Sequence, residues 1–378
     1  MVNNKIRSDG TTVKRPLALL FVKLDLGGIE TYFAKLSHTL VQDREVLVCA
    51  LRNKRHRGLM AMFHPSVKIV SPIELAGLIL LRGKLGIDLL ATGRNTALWA
   101  CLLKFLSSYV RVRLGVYSQY ELSERSGGGL RTAYAWVYRR LGPERVFFCT
   151  QGLKDKQAGL DERYAISPVV PLAVSVPVFC KQHTSYGGRV KLVTVGRFVD
   201  FKRYLWVLPG VVAELGAVGI QAELDIYGYG PLEESLRACI QQSPAAESIL
   251  IKGKINPLDI DGVLLDADLF IGSGSMLLEA ASRGVPSIVC IDGNREPTSP
   301  GYLHELPLNF TSEERSDVTM IMISWLVQRY VNLDATGRNS FFRNSFEYCK
   351  HYDAERVGVS LLKMFAGDVG YERRTPVN

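Results

Sequence analysis

The sequence predicts an α/β protein built from two doubly wound domains, each a parallel β-sheet with helices on both faces. Three observations predict it. The chain has 378 residues, too many for one ordinary core. From Pro16 onward the order short apolar run, glycine turn, amphipathic stretch keeps returning. The apolar runs are also continuous rather than alternating, as in strands covered on both faces.

In the first half, strands are expected at 17–24, 46–51, 89–92, 110–116 and 146–150. Helices follow at 29–40 and 97–107, the first entered through the Gly27-Gly28 turn. The polar, glycine-rich segment 182–189 reads as a linker, which divides the chain into domains 1–187 and 188–378. The second half has strands expected at 191–195, 222–227, 248–252, 267–271 and 286–291. Its helices are expected at 204–215, 232–242, 257–265 and 276–282. The tail from Ser316 to about Phe365 is helical in pattern and is expected to pack back towards the first domain.

Charge is unevenly shared. Residues 1–187 hold 27 Lys and Arg against 13 Asp and Glu, while 188–378 hold 19 against 24. A basic first half suits an anionic membrane surface or a phosphorylated substrate. Nucleic acid is not expected, because no zinc-finger spacing, aromatic RNA-binding motif or long basic run accompanies the charge. Seven well-separated cysteines without a C-x-x-C pair fit reduced core residues. The apolar run after Lys14-Arg15 stops at Lys23 with no cleavage-type sequence behind it, so it reads as a strand rather than a signal peptide. No stretch reaches the roughly 18 apolar residues of a membrane span. A cytoplasmic protein, at most peripheral on the inner membrane, is expected. The apolar segment 73–84 with basic flanks reads as a buried crossover helix or as a surface helix docking on anionic lipid.

Four segments can carry chemistry. Val195–Arg203 places Arg197 and Lys202 in the turn after the second domain's first strand, where two cations suit a diphosphate; the plain alternative is a solvated basic turn. Gly272-Ser273-Gly274-Ser275 runs into a helix whose first amides attract phosphate oxygens, and Glu279 lies one turn further on. Glu279 can hold two ribose hydroxyls or simply favour the helix dipole. Asp225-Ile-Tyr-Gly228-Tyr-Gly230 is again strand, glycine turn and helix, and Gly27-Gly28 repeats the device in the first domain.

Taken together, the GGIE turn, the VGRF…FKR segment, DIYGYGPLEESL and LLEAASRGVPSIV resemble the GT4 family of retaining glycosyltransferases over nearly the whole chain, the surface-polysaccharide type in particular. The resemblance implies the GT-B architecture, two Rossmann-like domains facing a cleft that holds a nucleotide-sugar. It implies that Arg197 and Lys202 neutralise the diphosphate and that Glu279 holds the ribose. Gly228, Gly230 and Lys254 would border the base, and Gly27 and Gly28 would approach the donor from the other domain. The implied reaction passes a sugar from a UDP- or GDP-sugar to a glycan or lipid-linked acceptor with retention, in polysaccharide or lipopolysaccharide biosynthesis. It needs no cofactor.

Two departures stand out. Members often carry a second glutamate eight positions before the one matched by Glu279; here that position is Ile271, so Gly272, Ser273, Gly274 and Ser275 are left to meet the donor. Members also often carry a histidine after the strand ending near Val116, where this chain has Tyr117, Ser118 and Glu121 as candidate sugar or acceptor contacts. Acceptor choice is expected to fall to the loops 53–58 and 123–129. Asp266-Ala-Asp268 and Asp259-Ile-Asp261 match the D-x-D metal pattern but read as capping or solvated residues, so no metal is expected. Two alternatives remain: a sugar-nucleotide epimerase of related fold, and a catalytically silent binding subunit.

Overall fold

A computed structural model describes residues 14–25, 27–52, 55–121, 128–177, 188–256, 259–313 and 318–366. The expected linker 182–189 lies mostly outside these residues, as do parts of the loops 53–58 and 123–129. The chain divides into two compact units, Met1–Leu172 with Ala354–Asn378, and Ala173–Asp353.

The first unit runs β1 (Leu17–Phe21), α1 (Gly28–Asp43), β2 (Val46–Ala50), α2 (Arg57–Met62), β3 (Lys68–Val70), α3 (Pro72–Arg82), β4 (Ile87–Ala91), α4 (Arg94–Leu103), β5 (Val110–Val116), α5 (Gly128–Leu141), β6 (Val146–Phe148) and α6 (Gln151–Leu160). The six strands pair in the order β3-β2-β1-β4-β5-β6, all parallel. β1 and β4 are buried along their whole length, which is why their sequences read as unbroken apolar runs. The one acid inside this sheet, Asp88 on β4, is fully buried. It survives there because Arg44 reaches it at 2.9 Å and Arg111 at 2.7 and 2.8 Å.

The second unit runs β7 (Arg189–Val195), α7 (Tyr204–Ala217), β8 (Gln221–Tyr227), α8 (Glu233–Gln241), β9 (Ile249–Gly253), α9 (Ile260–Asp266), β10 (Leu269–Gly272), α10 (Ser275–Ser282), β11 (Ser287–Val289), α11 (Ile323–Val331) and α12 (Ala335–Cys349). Its five strands pair in parallel in the order β11-β10-β7-β8-β9. One apolar core links them to α7, α8, α11 and α12, with Phe198, Tyr204, Leu224, Ile271 and Phe342 among its members.

The last helix, α13 (Ala354–Ala366), belongs to the first unit. It lies against α1, with Gly358 so close that a Cβ would stand 2.9 Å from Thr39. Arg113 of β5 donates to the Met364 carbonyl and lies 5.0 Å from the Phe365 ring centre, so a buried arginine ties the helix to the sheet. α11 and α12 stay with the second unit.

Candidate functional site

In the second sheet, β7, β8 and β9 are added in one direction and β10 and β11 in the other, so the order reverses between β7 and β10. The loops leaving those two strands diverge, and such a switch point is where doubly wound sheets take their ligands. Arg197 and Lys202 lie on the loop after β7. Gly272 to Ser275 form the turn from β10 into α10.

The loop after β7 is pinned from below. Phe198 is buried in the core, Gly196 donates to the Tyr227 carbonyl at 2.9 Å, and Phe198 donates to that of Tyr229 at 3.0 Å. This approach is what Gly228 and Gly230 permit. Gly228 has φ 154°, and a Cβ there would collide with the Gly196 carbonyl oxygen and stand 2.9 Å from the Phe198 ring. A Cβ on Gly230 would stand 2.7 Å from the Phe198 nitrogen. The Gly228 amide is already spent on the Gly253 carbonyl, at 2.8 Å. These two glycines therefore shape the loop that carries Arg197. Arg197 itself is exposed and has no side-chain partner among the described residues.

Lys202 sits deeper. Its ammonium donates to Ser273 Oγ and lies 3.1 Å from Asp292 Oδ1, and Ser273 Oγ donates to the same oxygen at 2.7 Å. The cluster joins three loops: the one after β7, the β10–α10 turn, and the segment after β11 that supplies Asp292. Backbone bonds hold the arrangement, Gly293 to the Phe201 carbonyl at 2.7 Å and Cys290 to that of Gly272 at 2.6 Å. The buried Glu313 accepts from Ser312 at 3.1 Å, while the Ser312 carbonyl takes the Asp292 amide at 3.0 Å.

α10 begins at Gly274, with φ 72° and no side-chain cap. Gly274 gives its own amide to Thr311, and Leu277 bonds back to Gly274. The amides of Ser275 and Met276 are the first-turn donors left over. Glu279, one turn on, is buried and meets Arg283 Nη1 at 3.0 Å; Arg283 is also drawn to Asp261 of α9, with Nε at 2.7 Å. Asp261 is thus an ion-pair partner, Asp266 pairs with Lys191, and Asp268 accepts the Lys191 amide at 2.8 Å. Lys254 lies at the end of β9, 5.1 Å from the Tyr229 ring centre. Among the described residues there is no cluster of three or more His, Cys, Asp or Glu able to hold a metal.

The first sheet has its own switch point, between β1 and β4. Gly27 starts α1 without a side-chain cap, and Glu30 folds back so that a Cβ on Gly27 would stand 3.2 Å from its carboxyl carbon. The helix thereby sets its own anion against its N-terminal dipole. Beyond β4, Gly93 lies beneath Glu121, since a Cβ there would stand 3.0 Å from Glu121 Oε1. Glu121 Oε2 accepts the Tyr117 amide at 3.0 Å. Burial raises its pKa from the ordinary glutamate value to about 7, against the opposing pull of the Tyr117 amide and the Arg94 charge. Tyr117 turns the other way. Its ring packs against Tyr32, Phe33 and Phe147 at 5.7 to 6.0 Å, and its buried hydroxyl has no partner among the described residues. The Ser118 carbonyl takes the Glu121 amide at 2.9 Å. Of these three candidates, Ser118 and Glu121 bond to each other through the backbone, while the partly buried Tyr117 turns its ring into the aromatic cluster.

Sequence reasoning missed Asp292 and Arg94. Asp292-Gly293 at the end of the fifth strand was visible, yet its link to Ser273 exists only because β11 lies beside β10.

Comparison with known proteins agrees with this architecture. No family model matches the chain. The GtfA subunit of the UDP-N-acetylglucosamine–peptide N-acetylglucosaminyltransferase of Streptococcus gordonii is 23% identical over 60% of this chain and 46% of its own length. The chain thus spans about half of that curated relative. Among solved structures, the Anabaena protein Alr3699/HepE in complex with UDP superposes with a TM-score of 0.69 over 93% of this chain and 100% of that one, at 12% identity. The lipopolysaccharide outer core galactosyltransferase WaaB gives a TM-score of 0.65 over 94% and 100%, also at 12%. At such identities the likeness is one of fold: two Rossmann-like parallel-sheet domains, the GT-B fold of glycosyltransferases.

Proposed function

We propose that this chain is a retaining glycosyltransferase of the GT4 type, moving a sugar from a UDP- or GDP-sugar to a glycan or lipid-linked acceptor in surface-polysaccharide or lipopolysaccharide biosynthesis. The observation that carries the reading is the Lys202–Ser273–Asp292 cluster at the second sheet's switch point, beside the uncapped start of α10 and the unpartnered Arg197. A diphosphate placed there meets one partly buried cation, one exposed cation and a helix dipole. Support also comes from the Anabaena neighbour's UDP and from the transferase names of WaaB and the GtfA relative.

In this reading the enzyme acts mainly by electrostatics. Arg197, Lys202 and the Ser275 and Met276 amides stabilise the negative charge that gathers on the diphosphate as the glycosidic bond breaks. Glu279 fixes the ribose, and the departing phosphate oxygen takes the acceptor's proton on the same face. The basic first domain takes the acceptor, with Glu121 and Arg94 at its switch point. No cofactor or metal is called for, and the site of action is the cytoplasm.

One observation favours a second reading, a catalytically silent binding subunit: Ile271, where a second glutamate is expected, is a wholly buried β10 residue. A panel of UDP- and GDP-sugars, with and without glycan and lipid-linked acceptors, separates the two. Acceptor-dependent release of nucleoside diphosphate supports transfer. Donor binding without product supports the silent subunit, and free epimer would assign the chain to epimerisation instead.

A further inference from the structure

In a doubly wound sheet the loops at the strands' C-terminal ends stand in the order of the strands, not in the order of the chain. Across the second sheet that order is β9, β8, β7, β10, β11. The loops present, in turn, Lys254, then Gly228 and Gly230, then Arg197 and Lys202, then Ser273 and Ser275, and last Asp292. A nucleotide-sugar is a linear ligand of base, ribose, diphosphate and sugar. With its base at the β8 and β9 ends and its diphosphate over the β7 and β10 loops, its sugar falls beyond them, at the segment after β11.

Asp292 is firmly held there. The Asn294 amide bonds back to the Ile291 carbonyl at 3.1 Å, and Gly293 between them has φ 89°, as at the glycine position of a type II turn. Ser312 takes the Asp292 amide at 3.0 Å. On the side chain both partners fall on one oxygen: Ser273 Oγ at 2.7 Å and Lys202 Nζ at 3.1 Å meet Oδ1. Oδ2 accepts no hydrogen bond among the described residues, and the side chain keeps 17% exposure, so a ligand can reach it.

A carboxylate is a poor neighbour for a diphosphate, because it cancels part of the charge on Lys202. It is a good neighbour for a sugar. An ionised carboxylate only accepts hydrogen bonds, and the sugar hydroxyls are the donors that end beside it. A uronic acid reverses the sign of that contact. With Lys202 engaged by the diphosphate, the sugar's own carboxylate would face Asp292 across a short gap. The next charges on the segment, Arg295 and Glu296, are both exposed and opposite in sign, so they offset each other.

We propose that Asp292 selects the donor's sugar: its open carboxylate oxygen accepts a sugar hydroxyl, so the chain takes donors carrying an uncharged sugar and rejects those carrying a uronic acid. The proposal rests on the transferase reading and extends it to the substrate class of that site.

The test is calorimetric titration of the full chain with UDP, UDP-glucose, UDP-galactose, UDP-N-acetylglucosamine, UDP-glucuronate and UDP-galacturonate. The best neutral donor is expected to bind at least about tenfold more tightly than either uronate. Asp292→Asn puts an amide where the open oxygen stood. It should lower the affinity for that neutral donor, relative to UDP, at least about fivefold, and bring neutral and uronate donors within about threefold of each other. UDP carries no sugar and so serves as the reference for both proteins. A wild-type chain that binds a uronate donor as tightly as every neutral one overturns the proposal, and this comparison needs no variant. Equal losses for UDP and the neutral donor in Asp292→Asn also overturn it, since the carboxylate would then act only through Lys202. No binding of UDP at all would overturn the transferase reading as well, which a preference for uronates would not.

Discussion

Removing the ammonium of Lys202 tests the candidate donor site at its most buried cation. Lys202 is 14% exposed at the side chain and lies 3.1 Å from Asp292, which is 17% exposed. In such a setting an effective dielectric near 20 gives about 4 kcal/mol for two unit charges at 4 Å. Lys202 already shares its charge with Asp292, so only part of that is available to an incoming diphosphate. We expect Lys202→Ala to weaken UDP binding by about 1.5–3 kcal/mol, roughly tenfold to a hundredfold. The same substitution leaves the Asp292 carboxylate unpaired and next to the diphosphate. Adding Asp292→Asn to Lys202→Ala should therefore restore several-fold of the lost affinity. Calorimetric titration with UDP measures both steps, with Tm as the control for folding. Unchanged UDP affinity in Lys202→Ala would refute the reasoning, and a further loss on adding Asp292→Asn would show that the carboxylate serves the ligand rather than the lysine.

Three other outcomes are expected. Glu279→Ala should reduce donor use at least about tenfold, or about 1.4 kcal/mol, in steady-state assays; Arg283 keeps Asp261, so Tm should fall little. Gly228→Ala should destabilise the second domain by roughly 1–3 kcal/mol in urea unfolding, because it forces a side chain into a left-handed position against Gly196. It should also weaken UDP binding by displacing the Arg197 loop. Glu121, with its pKa raised to about 7 in the fold, binds its proton more tightly folded than unfolded. The native state thus loses stability as pH rises from the ordinary glutamate range through about 7, by up to about 3 kcal/mol, and the loss then levels off. Glu121→Gln should remove that component, gaining on the wild type between pH 5 and pH 8 in paired unfolding curves. Parallel curves for the two proteins would count against the buried carboxyl.

The second domain was the more legible half. Strands expected at 191–195, 222–227 and 248–252 are found as Arg189–Val195, Gln221–Tyr227 and Ile249–Gly253, because buried parallel strands leave apolar runs with sharp polar ends. The first domain hid more. β3 is a three-residue edge strand and α2 buries only Leu59, so neither leaves a periodic trace. The segment 73–84 allowed a buried or a surface helix, and α3 is partly each, with Leu75 and Ile79 inside and Leu80 and Leu81 outside. At the site, Arg197, Lys202 and Gly272–Ser275 could be read from strand-end position alone. The pairing of Lys202 with Asp292 could not, since it depends on which strands become neighbours. Nor could the direction of Tyr117, which is set by the aromatic cluster of Tyr32, Phe33 and Phe147.

The measurement that bears most directly on the central claim is a crystal structure of the protein soaked with UDP. The diphosphate is expected within hydrogen-bond distance of Lys202 Nζ and the Arg197 guanidinium, over the Ser275 amide, with the ribose hydroxyls on Glu279. A nucleotide bound at another edge of the second sheet, or no bound nucleotide at millimolar UDP, would contradict the account.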